Sequence, residues 1–254
     1  MPEARNYETK AVVIKKIKLG EADRIITFYT PDLGKIEGVA KGVRRPRSKL
    51  AGHLELLTYT DIRMARGRHL DTVIGSQAID SFMTLKNDIR LAAQGLYTAE
   101  LVNQFTSDQI ANPRLFDLFV ETLSRLQAAN NSEITLRYFE LHLLEMVGFR
   151  PQLQQCVACR VELKPVVNAF SSSAGGILCP ECENTQPAAF PLSVDALKVL
   201  RLFQKSEYAT AGRLKLGPEL SQELKEALGN FIRYLLEREV KSATWLDNFS
   251  QQLI

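Results

Sequence analysis

Four cysteines are the residues with the clearest chemical potential in this sequence. Cys156 and Cys159 form one pair with a two-residue gap, Cys179 and Cys182 form another, and nineteen residues separate the pairs. This spacing is typical of a zinc site, in which four thiolates form a tetrahedron with Zn–S distances of about 2.3 Å. Four thiolates leave no open position for water, so we expect a structural ion that does not catalyse a reaction.

Glycines at 175 and 176 and Pro180 suit the tight turns around such a site, because glycine tolerates positive φ and proline fixes its own φ. We therefore predict a small zinc ribbon at residues 152–188. Two disulfides or four unrelated buried thiols are the alternatives, and nothing in the sequence resembles a secreted chain. Four thiolates also accept iron, so the spacing indicates the site better than the ion.

Two clusters of basic residues are the second candidate site. The first places five cations within residues 41–49, together with a glycine and a proline that disfavour regular structure: Lys41, Arg44, Arg45, Arg47 and Lys49. The second, smaller cluster contains Arg63, Arg66, Arg68 and His69. Such loops are suited to phosphate contact, because each neutralised phosphate releases counterions and arginine matches phosphate oxygens in pairs. We expect these positions to bind nucleic acid.

Both clusters also have simpler explanations. A run of charge is often a solvated loop that keeps a protein soluble. Tyr29 and Tyr59 could stack on unpaired bases, but aromatic residues in a small barrel more often fill its core. From the sequence alone, both alternatives stay open.

Catalytic motifs do not emerge from the sequence, and we expect a protein that is not an enzyme. It contains no Gly-x-x-x-x-Gly-Lys-Ser/Thr phosphate loop. The three histidines, His53, His69 and His142, have no nearby nucleophile, and we predict turn positions for the first two and a packed or capped imidazole for His142. The carboxylates are scattered, as on solvated helix faces.

The chain has 254 residues, of which 45% are hydrophobic and 24% charged, and it is long enough for two domains. It has a polar N-terminus and no run long enough to cross a bilayer, so we expect a cytoplasmic protein with no membrane partner. Residues 1–80 hold fifteen Lys or Arg against ten Asp or Glu, a net +5, whereas residues 81–254 hold seventeen against nineteen, a net −2. The positive charge therefore belongs to the front of the chain.

Short strands dominate the first 80 residues. β-branched runs and turn residues predict strands at 11–18, 24–30, 35–40, 54–64 and 70–74. Five short strands without a long helix between them favour a small closed barrel of the oligonucleotide-binding (OB) kind over an open sheet.

After residue 80 the hydrophobic period changes from two to 3.6. The spacing predicts helices at 85–105, at 115–126, from Ser132 to a stop at Gly148, after a Ser193 cap, and from Gly217-Pro218 onward. The fold class is therefore α+β and multidomain. We predict an OB-fold nucleic-acid-binding domain at residues 1–80 and a helical domain, with the four-cysteine zinc ribbon inserted, at 81–254.

Several stretches together resemble the RecO family of bacterial recombination and repair proteins. They are Lys41–Arg45, Arg137–Phe149 leading into Cys156 and Cys159, and Phe170 through Cys179. The likeness covers most of the chain in order, and the junction between the helix and the first cysteine pair is its most specific part.

This resemblance implies an N-terminal OB barrel and a C-terminal helical domain whose four cysteines hold structural zinc. It implies a non-enzymatic mediator that binds single- and double-stranded DNA, anneals complementary strands without ATP and helps to load recombinase. Its implied partners are RecR and single-strand-binding protein, with RecF as a further candidate, and it would join the bacterial nucleoid when bound to DNA. Two other hypotheses are a zinc-stabilised protein-interaction adaptor and an enzyme acting on nucleic acid.

Overall fold

The first half of the chain builds a closed five-stranded barrel. The structure is a computed structural model that describes residues 5–128, 131–186 and 188–243. The barrel strands are β1 (Asn6–Leu19), β2 (Asp23–Thr30), β3 (Gly34–Ala40), β4 (Tyr59–Ala65) and β5 (Asp71–Asp80). They close in the order β1-β2-β3-β5-β4, with β3 and β5 parallel and every other pair antiparallel. The predicted five-stranded OB barrel is confirmed.

Alternation along the strands separates the barrel interior from its outer face. Because successive side chains point to opposite faces, the β-branched runs fill the barrel with every second residue. The innermost side chains include Ala11, Val13, Ile26, Phe28, Ile62 and Met64. Strand β1 is long enough to pair with β4 through Val12 and with β2 beyond it, and a bulge between Val13 and Lys15 allows the bend.

The predicted strand at 54–64 begins too early. Residues Gly52–Leu54 form a short 3₁₀ helix, and β4 starts only at Tyr59. Leu54 and Leu57 are buried, as their apolar character indicated, but Leu57 has φ of +63° and its N–H donates to the Val13 carbonyl at 2.8 Å. A turn therefore buries these leucines, where the sequence predicted a strand. β5 also continues to Asp80, beyond its predicted end at residue 74.

Three helices share a compact unit with the barrel: α1 (Met83–Asn87), α2 (Ile89–Phe105) and α3 (Pro113–Gln127). The helix predicted at 85–105 is two helices, because the Asp88 carboxylate accepts hydrogen bonds from the N–H groups of Arg90 and Leu91 and begins α2. Asn112 begins α3 in the same way, with Pro113 in the first turn.

The two compact units divide between α3 and the next helix. The first contains residues 5–128 and 241–243 of the described chain, and the second contains 131–186 and 188–240. The change from strand to helix near residue 80 lies inside the first unit. Compactness does not decide which segment folds alone, so the division into domains 1–80 and 81–254 stays a prediction.

The second unit is helical with a small inserted sheet. Its helices are α4 (Ser132–Met146), α5 (Val194–Lys205), α6 (Tyr208–Ala211) and α7 (Pro218–Leu236), and the sheet consists of β6 (Asn168–Ser171), β7 (Gly176–Leu178) and β8 (Phe190–Leu192) in the order β7-β6-β8. The Ser193 hydroxyl accepts from the Ala196 N–H, which confirms the predicted cap. Asn131 makes no side-chain cap, since its amide donates to the Leu214 carbonyl, and Asn130 lies outside the described residues.

Helix α4 carries polar residues whose surroundings differ from those predicted. Glu140 is fully buried and pairs with Arg137 at 2.7 Å, so this carboxylate does not lie on a solvated face. His142 is packed as predicted, with its Nε2 2.9 Å from the Phe203 carbonyl and its ring against Tyr138. Among the described residues, no helix is both long and apolar enough to cross a membrane.

Gly34, at the start of β3, offers a direct test of the barrel's packing. Its φ is +65°, and a Cβ atom there would lie 2.2 Å from the backbone carbonyl oxygen of Ile110. Gly20 has a similar φ of +56° but open space around it. We expect Gly34→Ala to lower the free energy of unfolding by about 3 kcal/mol or more, and Gly20→Ala by about 1–2 kcal/mol. Urea denaturation followed by circular dichroism measures both, and equal losses would show that the contact with Ile110 is unimportant.

Candidate metal centre and nucleic-acid interface

Backbone pairing brings the two cysteine pairs together. The first pair follows α4 and the second follows β7. The Val157 N–H donates to the Ile177 carbonyl at 2.8 Å, and Gln152 exchanges backbone hydrogen bonds with Gly175 and Ile177. As a result all four Sγ atoms lie within 4.8 Å of one another. The structure therefore gathers the four predicted metal ligands in one place.

The sulfur geometry suits a metal better than a disulfide. The Cys159 and Cys179 Sγ atoms are 3.7 Å apart, close to the edge of about 3.8 Å for a tetrahedron with Zn–S distances of about 2.3 Å. A disulfide needs about 2.05 Å, and all four cysteines are free. The four thiolates can thus bind a metal ion, and no fifth position is needed for a structural role.

Backbone amides favour negative charge on the buried sulfur. The Cys179 N–H donates to the Cys156 Sγ at 3.4 Å. Burial opposes ionisation of Cys156, but backbone hydrogen bonds with Cys159, Cys179 and Ala158 outweigh burial and lower the pKa of its thiol to about 6. By contrast, burial raises the pKa of the Cys179 thiol. One sulfur is therefore prepared as a thiolate, whereas a second needs a cation to stabilise its charge.

The first basic cluster lies on an exposed loop with a fixed base. Lys41, Arg44, Arg45, Arg47 and Lys49 are all exposed, and within the described residues none of the five forms an ion pair. The Asp23 carboxylate accepts from the Gly42 N–H at 2.7 Å, and the Arg44 backbone N–H donates to the Ala22 carbonyl at 2.9 Å. The loop is thus tied to the turn between β1 and β2, and its cations face solvent. Asp23 escaped notice in the sequence because a lone acidic residue before a strand carries little signal.

The second basic cluster is less free. Arg63 pairs with Glu8, and the Arg66 guanidinium carbon lies 5.1 Å from the centre of the Tyr7 ring. Arg68 and His69 are exposed in the turn between β4 and β5. The parallel pairing of Gly38 with Asp71 places the start of β5 beside the end of β3. The two clusters therefore adjoin the same pair of strands, and a shared groove between them stays a prediction.

The two tyrosines lie against helix α3. Tyr29 is fully buried, with its ring centre 6.2 Å from that of Phe116. Tyr59 is half-buried and meets the same ring edge-on at 5.9 Å. The core interpretation of Tyr29 is confirmed, because a fully buried ring cannot stack on a base.

Comparison with known proteins decides the family. A family model described as the N-terminal part of recombination protein O matches residues 3–82, and one described as its C-terminal part matches residues 86–244. The chain belongs to the RecO family. The suspected resemblance is thereby confirmed, over both the barrel and the helical part of the chain.

Full-length relatives agree with the family models. A DNA repair protein RecO from Dehalococcoides mccartyi is 44% identical over 251 residues, which cover 99% of each chain. One from Roseiflexus is 39% identical over 249 residues, covering 98% of this chain and 88% of the relative. One from Halalkalibacterium halodurans is 31% identical over 241 residues, covering 95% and 94%.

Proposed function

We propose that this RecO-family chain is a non-enzymatic DNA repair and recombination mediator that binds single- and double-stranded DNA and anneals complementary strands without ATP. The observation that carries this proposal is the first basic cluster, whose five cations are exposed and form no ion pair within the described residues. The OB-type barrel beneath it is a fold that commonly binds oligonucleotides.

The proposed mechanism relies on charge. Two complementary strands repel each other through their phosphates, and a cationic loop that holds both strands lowers that repulsion. Phosphate contacts leave the base edges free, so base pairing supplies the driving force. No bond is made or broken, and no nucleotide hydrolysis is needed. Binding should be independent of sequence and strongly dependent on salt.

The wider role follows from the family. We propose that the chain helps to load recombinase onto DNA covered by single-strand-binding protein, with RecR as partner and RecF as a further candidate. We also propose that Cys156, Cys159, Cys179 and Cys182 hold structural Zn²⁺. The ion would stabilise the ribbon, and its binding free energy would add to the stability of the fold.

Annealing of labelled complementary strands by the full chain tests this proposal. We expect pairing faster than the spontaneous rate, equal with and without ATP, and progressively slower as salt rises. Pairing that needs ATP, or that never exceeds the spontaneous rate, would contradict the proposal. In the latter case, retention of protein partners without DNA would favour the zinc-stabilised adaptor.

A further inference from the structure

The outer face of the barrel carries an unusual set of aliphatic side chains. The register pairs Ile17 with Ile25 and Ile25 with Val39, so these three residues form one row across β1, β2 and β3. Leu19 lies two residues farther along β1 on the same face. Ile17 is 44% exposed and Leu19 is 40% exposed, while Ile25 and Val39 are half-buried. We call these four residues the outer apolar patch.

Charged groups surround this patch asymmetrically. Lys15 is exposed beside Ile17 on the same face, and the first basic cluster starts at Lys41, two residues after Val39. The Arg44 guanidinium donates to the Gly20 carbonyl at 3.3 Å, next to Leu19. Two carboxylates share this face, but Asp23 accepts from the Gly42 N–H and Glu37 from the Thr27 hydroxyl. An apolar centre with a cationic edge therefore faces solvent.

We propose that the outer apolar patch contacts the unpaired bases of a single nucleic-acid strand while the basic cluster holds its phosphates. This inference rests on the proposed function and identifies how the same site distinguishes single strands from duplexes. The charge complementarity favours a polyanion, and bases are the apolar groups that a single strand exposes. In a duplex the bases are stacked and paired, so only the phosphates would reach the protein.

The absence of an aromatic residue from the patch has a consequence for annealing. Stacking of a base on an aromatic ring is worth about 1–3 kcal/mol, whereas aliphatic side chains offer contact without stacking. Tyr29, the aromatic residue of β2 nearest this face, is buried against Phe116. Bases on the patch are therefore held weakly enough to leave it and pair with a complementary strand.

The triple variant Ile17→Thr/Ile25→Thr/Val39→Thr tests the contact in the full chain. Threonine keeps the β-branched shape that suits a strand and replaces a methyl group with a hydroxyl. We expect the Kd for an unstructured oligothymidine to rise about tenfold, with an unchanged salt slope and an unchanged Kd for a duplex of equal length. Ile79→Thr, at a 49% exposed isoleucine on β5, is the matched control and should leave both Kd values unchanged.

A second variant does not depend on how well the triple variant folds. Ile17→Trp adds a stacking surface at an exposed strand position, so we expect tighter oligothymidine binding by about fivefold or more and slower annealing. Oligothymidine binding by the triple variant that matches the unmodified protein, or an Ile17→Trp variant that does not bind more tightly, would overturn the inference. Loss of a protein partner with unchanged oligothymidine binding would also overturn it.

Failure of this inference is distinguishable from failure of the proposed function. If the patch is irrelevant, the unmodified protein still binds DNA with a steep salt slope and still anneals strands. If the proposed function is wrong, the unmodified protein shows neither property, whatever the patch variants do.

Discussion

Simultaneous replacement of Arg44, Arg45 and Arg47 by alanine is expected to lower the association constant for DNA about a hundredfold near 0.1 M salt. The three guanidinium groups lie on the exposed loop 41–49 and form no ion pair within the described part of the chain, so each is available to neutralise a phosphate. If each releases the counterions of one phosphate, the slope of log K against log salt should become shallower by about 2.7 for a duplex. The loss should be the same for all DNA sequences.

A matched variant separates local contact from overall charge. Lys205, Arg213 and Lys215 are exposed cations of the second unit, and their replacement by alanine removes the same total charge. We expect this control to change affinity by less than about threefold, since charges far from the bound strand are screened. Equal losses in the two variants, or an unchanged slope in the first, would contradict the role of the loop.

Cys156→Ser is expected to remove the metal and unfold the ribbon. A hydroxyl is a poor zinc ligand, and the remaining three thiolates cannot complete the shell. The Cys156 Sγ also accepts the Cys179 N–H, so the same change weakens the connection between the two pairs. We expect metal content to fall from about one ion per chain to near zero and stability to fall by several kcal/mol.

Elemental analysis and limited proteolysis measure these two effects. Zinc is the expected metal, and new cleavage should concentrate within residues 152–188. Val161→Ser is a suitable control, because this side chain is 55% exposed and its backbone carbonyl can still accept the Cys156 N–H. A Cys156→Ser protein that retains a full equivalent of metal would show that this cysteine is not a ligand.

Local sequence predicted the parts of the structure that depend on local chemistry. The cysteine spacing alone identified the four sulfurs that come together, and β-branched runs identified five strands. Ser193 and Pro218 marked helix starts correctly, because caps and first-turn prolines act through neighbouring backbone groups.

Features set by distant contacts were not predictable in this way. Leu54 and Leu57 looked like strand residues, but burial can be reached through a turn as well as a strand, and the backbone bond from Leu57 to Val13 decides between them. Glu140 looked like a surface residue because nothing local reveals a core position paired with Arg137. The outer apolar patch depends on register between three strands, which a single run of sequence does not contain.

The most direct test of the account is chemical footprinting of arginine and lysine side chains in the full chain, with and without DNA. The account predicts that DNA protects Lys41, Arg44, Arg45, Arg47 and Lys49 and leaves Arg213 and Lys215 as reactive as before. Unchanged reactivity across residues 41–49, with protection confined to cations of the second unit, would contradict it.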